Sequence, residues 1–118
     1  MKHLITLLST LFVTCAVAAE PAAQPAVQKS APTIHRYLVE RTFPAGALDG
    51  LDAATKQKVN ANNATVGVRW VESFANAQKT KTYCVYEGPS EAAIRKAAAL
   101  NALPVDSITE VPVTLTPQ

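Results

Sequence analysis

Residues 68–98 read VRWVESFANAQKTKTYCVYEGPSEAAIRKAA, and this stretch decides the fold. Val66 to Phe74 is dense in β-branched and aromatic residues, which predicts a strand. Asn76 to Lys79 is a short polar connection, and Thr80 to Glu87 (TKTYCVYE) reads as another strand. The two form a hairpin. Gly88-Pro89 punctuates the chain, and Ser90 is placed to cap a helix reaching about Leu100. Glu91 falls in its first turn, where a carboxylate meets the positive end of the helix dipole.

Upstream, Ile34 to Thr42 (IHRYLVERT) has strand composition and no breaker, and Phe43-Pro44-Ala45-Gly46 ends it. Leu48, Leu51, Thr55 and Val59 recur at helical spacing, with Asp52 as N-cap, so a helix is predicted from Asp52 to Asn63. Downstream, Pro104 stops the second helix, and Ile108 to Leu115 reads as a strand that Pro112 confines to a sheet edge. The order is β-α-β-β-α-β. Right-handed crossovers and one hairpin then give a four-stranded antiparallel sheet with both helices on one face, an α+β ferredoxin-like sandwich over residues 34–115. The helix-free face stays wet or pairs with a second copy, and a homodimer through that face is expected.

The chain of 118 residues has room for one such domain. What precedes it is an address. Met1-Lys2-His3 is followed by an uncharged apolar run from Leu4 to Ala19 that ends in small residues, as a Sec-type signal peptide does. That run is about 16 residues, short of the ~20 that span a bilayer. Residues 1–19 are therefore read as a cleaved leader, cut after Ala18 or Ala19, that sends the protein to the periplasm or outside the cell. No membrane attachment is expected afterwards. Glu20 to Thr33 (EPAAQPAVQKSAPT) is a Pro/Ala-rich tether. Cleavage removes Cys15 and leaves Cys84 alone, so no disulfide forms within the chain.

Eleven basic and nine acidic residues give a net charge of +2, too little to steer the protein toward DNA or RNA. No nucleic-acid partner is expected. A Ser/His/Asp triad would need His35 as its base, and no serine stands in a nucleophile-elbow context. There is no Cys-x-x-Cys or His-x-x-x-His pair for a closed zinc site, and no glycine-rich phosphate loop. No catalytic set is assigned.

Strand alternation sorts the remaining candidates. Tyr37, Val39, Val71, Tyr83, Val85, Val111 and Val113 are almost wholly apolar and are assigned to the face under the helices. The other set is Arg36, Leu38, Glu40, Trp70, Glu72, Cys84, Tyr86 and Glu110. Within it Glu40, Trp70, Glu72, Cys84, Tyr86 and Glu110 form a candidate ligand pocket on the open face. Each has a plainer reading. Cys84 is a small buried hydrophobe, Glu40 and Glu72 pair with Arg36, Arg41 or Arg69, Glu110 is solvated near the sheet edge, and Trp70 and Tyr86 are packing or dimer-interface residues.

Tyr37 to Gly46 (YLVERTFPAG), Val68 to Ala98 and Leu103 to Val111 (LPVDSITEV) together resemble domain-of-unknown-function family 4242, some of whose members are described as nickel-binding. The resemblance implies a ferredoxin-like fold, often dimeric, with no established enzyme activity. Nickel is known for part of the family, and the residue set of the open face is expected to hold Ni(II), another divalent transition metal or a small ligand through Cys84 and one or more of Glu40, Glu72 and Glu110, with Glu72 and Cys84 as the metal ligands. Family members often read Trp-x-His-Ser-Tyr where this chain has Trp70-Val71-Glu72-Ser73-Phe74, so a carboxylate replaces an imidazole, which suits nickel better. They also often have Gly where Ala102 stands, and Asn101 is expected to take the left-handed conformation instead. The favoured reading is an exported, non-enzymatic protein binding a metal or small ligand. The alternatives are a dimeric monooxygenase- or isomerase-like enzyme with Glu40 or Glu72 as base, and a structural module docking an envelope protein.

Overall fold

Tyr37 stands opposite Tyr86, Val39 opposite Cys84 and Arg41 opposite Thr82, and these pairings between the two central strands set every face of the sheet. The computed structural model describes Ala19 and residues 30–118. The predicted leader and most of the predicted tether lie outside the described residues. The elements run β1 (His35–Thr42), α1 (Ala53–Ala64), β2 (Arg69–Ala75), β3 (Lys81–Gly88), α2 (Glu91–Leu100) and β4 (Ser107–Glu110). The sheet order is β2-β3-β1-β4, with antiparallel pairings throughout, so each helix crosses over one strand to reach the next. This is the ferredoxin-like α+β sandwich.

Both helices begin where their caps predict. The Asp52 side chain accepts from the Thr55 amide, and the Ser90 hydroxyl accepts from the Ala93 amide. β4 is shorter than predicted. Its ladder ends at Glu110, because Pro112 has no amide hydrogen to continue it.

The helices differ in how they cover the sheet. α2 buries Ile94, Ala97 and Ala98 at helical spacing, and its small residues let it lie close to the strands. A Cβ at Gly88 would come within 3.1 Å of both Ile94 and Val68, so a bare backbone at that position permits the approach. The core is Tyr37, Val39, Val68, Cys84, Tyr86, Ile94 and Ala97. α1 reads AATKQKVNANNA, and Val59 is its one branched aliphatic side chain. It buries only Asn63. Instead of interdigitating with the sheet, its end is held to α2 by amides. Asn62 Nδ2 donates to Asn101 Oδ1 at 2.9 Å, and Asn101 Nδ2 donates to Asn63 Oδ1 at 2.9 Å.

The left-handed residue after α2 is Ala102, with φ of +52°, while Asn101 remains at φ −96°. The expectation for Asn101 is corrected. Its side chain is committed to the bridge with α1, and the turn places the positive φ one residue later.

Candidate functional site

The register overturns the face assignment made from apolarity alone. Opposed residues of an antiparallel pair share a face. Tyr37 and Val39 therefore share the helix face with Cys84 and Tyr86, which apolarity and alternation alone place on the other side. Leu38 opposes Val85 and Glu40 opposes Tyr83, so Val85 and Tyr83 lie on the open face. β2 complicates the count further. Trp70 opposes Tyr86, the ladder shifts, and Glu72 then opposes Val85, with Ser73 opposite Cys84. Val71 is the extra residue of this bulge, and it leaves Trp70 and Ser73 both on the helix side.

The six candidate pocket residues are thus divided. Trp70, Cys84 and Tyr86 are brought together under the helices. Glu40 and Glu72 lie on the opposite face, where Glu40 accepts from Ser107 Oγ at 2.6 Å. Glu110 is at the β4 edge, opposite Tyr37 and against His35, whose Nδ1 is 2.6 Å from Glu110 Oε1. The partner of Arg36 and Arg69 is Glu87, which receives donors from both at 3.1 Å and 2.5 Å. Those two guanidiniums hold the Glu87 carboxyl below its usual range, Arg69 foremost.

Because α1 carries so few apolar side chains, a cleft remains between it and the sheet. Its inner part has a volume of about 80 Å³ and is lined by Phe43, Leu51, Val59, Trp70, Cys84 and Tyr86, together with Arg41. It adjoins an outer part of about 530 Å³ bordered by Lys56, Asn60, Glu72 and Lys79, with Leu48, Leu51, Trp70, Ser73 and Thr82 common to both. The loop between β1 and α1 supplies Leu48 and Leu51, which close one side. Trp70 is held in place by its indole N–H, which donates to Ser73 Oγ at 2.8 Å.

Arg41 is the residue that sequence reasoning missed. It is 2% exposed. Its Nη1 donates to the Pro104 carbonyl at 2.5 Å, and the guanidinium lies 5.6 Å from the centre of the Tyr86 ring. Its Nε is buried with no hydrogen-bond partner among the described residues. Burial pushes the Tyr86 phenol up, and the nearby Arg41 charge opposes that rise. The signal was available in the sequence: Arg41 alternates with Tyr37 and Val39 and therefore shares their face.

Glu72 and Cys84 do not fit as joint ligands of a resident nickel ion within one chain. Glu72 and Cys84 project from opposite faces of the sheet, and the Cys84 thiol, buried in the core, donates to Thr82 Oγ1 at 3.5 Å. Among the described residues, no three His, Cys, Asp or Glu side chains are grouped to hold a metal ion. No described helix is long and apolar enough to cross a membrane.

A comparison with curated proteins gave no match. Among solved structures, the crystal structure of SCO4226 from Streptomyces coelicolor A3(2) is similar, with a TM-score of 0.58 and 22% identity, over 68% of this chain and 99% of that one. At that identity the likeness speaks for the fold. The family described as nickel responsive protein SCO4226-like matches residues 37–111, which is compatible with the resemblance noted from the sequence. That match spans more than half of the chain, so the protein belongs to the SCO4226-like nickel responsive family.

Proposed function

We propose that this protein is an exported, non-catalytic binding protein whose ligand is a small molecule lodged between α1 and the sheet. The observation that carries the reading is the cleft itself, open at its outer end and walled on the sheet side by Trp70, Cys84 and Tyr86. A small concavity with apolar walls and few polar groups is the usual form of a ligand site. The carboxylates considered as bases favour binding over catalysis, since both lie on the other face of the sheet from the cleft walls, Glu40 tied to Ser107 and Glu72 exposed. Export rests on the leader in residues 1–19.

The protein's single tryptophan lies on the cleft wall, which gives the test. The neutral dye N-phenyl-1-naphthylamine should accept energy from Trp70 and quench its emission with a saturable curve. Leu51→Arg, which fills the cleft from the loop side, should abolish the quenching. Quenching that survives Leu51→Arg contradicts the reading.

A second reading is favoured by the contact between His35 and Glu110. Imidazole and carboxylate are both acceptable nickel donors. This pair would need its remaining ligands from water or from a second copy. Under this reading, calorimetric titration with Ni(II) gives weak binding that His35→Ala removes and Cys84→Ala leaves intact. A homodimer over the helix-free face belongs to the same proposal. Its support is the exposed apolar surface of Phe74 and Tyr83, which oppose each other there.

A further inference from the structure

We propose that the ligand of this cleft is a small organic carboxylate, with Arg41 receiving its charged end and the apolar walls receiving its body. The inference rests on the cleft being a binding site and adds the chemical class of what binds.

Arg41 carries the argument. A guanidinium that is 2% exposed has been taken out of water, which is costly unless the charge is paired. The described residues give it no carboxylate within ion-pair distance. Its one hydrogen bond runs from Nη1 to the Pro104 carbonyl, and its approach to the Tyr86 ring recovers only part of the lost hydration. Nε has no protein acceptor among the described residues. With Nη1 committed to Pro104, a carboxylate would grip the edge formed by Nε and the other terminal nitrogen with two parallel hydrogen bonds, and because Nε is shielded from solvent the inner cleft must open slightly to admit it.

The surroundings agree with that occupant. Arg41 borders the inner cleft, where the other walls are largely apolar. About 80 Å³ there admits a carboxylate and a few carbons, and the adjoining 530 Å³ takes the rest of a short chain or ring. At the outer rim Lys56 and Lys79 supply positive charge, while the Glu72 side chain projects from the other face of the sheet, so approach by an anion is not opposed by the local charge. Lys79 is 3.9 Å from Asp49, which leaves Lys56 as the freer of the two.

The test compares hexanoate with hexan-1-ol, which share a chain and differ in the head group, by Trp70 fluorescence and calorimetry on the purified protein. Hexanoate should bind at least about tenfold tighter, as expected for a charge-assisted bidentate pair. Arg41→Met keeps length and apolar bulk, so the protein stays folded by circular dichroism while the preference for hexanoate disappears. Arg41→Lys keeps the charge without the fork and should retain only part of the preference. If the two compounds bind the wild-type protein equally, or if hexanoate binds Arg41→Met as tightly as wild type, the inference is overturned while the cleft reading stands. If neither compound binds, and the dye does not bind either, both are overturned.

Discussion

The amide of Ala102 donates to the carbonyl of Ala99 at 3.1 Å while Ala102 itself holds a φ of +52°. Leu103 completes the motif by donating to Ala98 at 2.9 Å. This is the hydrogen-bond pattern with which helices end on glycine, here built on a residue whose Cβ resists it. Replacing Ala102 by glycine removes the left-handed penalty at the cost of extra freedom in the unfolded chain. Ala102→Gly should stabilise the fold by about 1 kcal/mol. A rise of roughly 4–8 °C in the thermal midpoint checks it. A fall would mean that the turn is not formed as described.

Asn101 ties the two helices together, and its loss should be felt more than that of its partners. Asn101→Ala leaves the Asn63 carbonyl oxygen without its donor in a site where Asn63 is 2% exposed. The cost should be about 2 kcal/mol in urea unfolding, against about 1 kcal/mol or less for Asn62→Ala, which is only half-buried.

Cys84 packs in the core opposite Val39, so its thiol should be slow to react. A thiol-specific reagent such as Ellman's should label the unfolded protein at once and the folded protein only as fast as it opens. Cys84→Ala should cost about 1 kcal/mol by leaving a small void. Rapid labelling of the folded protein would put the thiol on a surface, against the register.

The order of elements was legible because each boundary has a local chemical cause: Asp52 and Ser90 as caps, Gly88-Pro89 as a break, Pro112 as the end of a ladder. The site was not, because it depends on register, a relation between strands distant in sequence. Tyr37 and Cys84 look like members of different faces until the pairing of Val39 with Cys84 is known. The bulge at Val71 shifts the count again, so Glu72 and Ser73 cannot be assigned by alternation from Trp70. Apolarity misled in the same way. Val85 and Tyr83 lie on the open face, while the charged Arg41 is inside.

Acid should destabilise the protein through three carboxylates. Glu87 is held down by Arg69 and Arg36, Asp106 by Lys81 and Thr42, and Asp52 foremost by the Thr55 amide that it caps. A carboxyl whose folded value is depressed adds stability above its unfolded value, near pH 4, and loses it as pH falls through the folded value. Stability should therefore be flat near neutrality and fall below about pH 4. Glu87→Gln should shallow that fall. At the other end, the raised Tyr86 phenol contributes stability below about pH 10 that is lost as pH rises through its folded value. Thermal midpoints measured across pH check both limbs.

The most direct test of the central claim is a two-dimensional amide NMR titration of the protein with hexanoate. The account predicts shifts concentrated on the Trp70 indole, Ser73, Leu51, Val59 and Cys84, which surround the cleft, with the Arg41 side-chain Nε–H moving furthest. Shifts confined to Leu38, Val85 and Thr109 on the helix-free face, or none at saturating hexanoate, would contradict it.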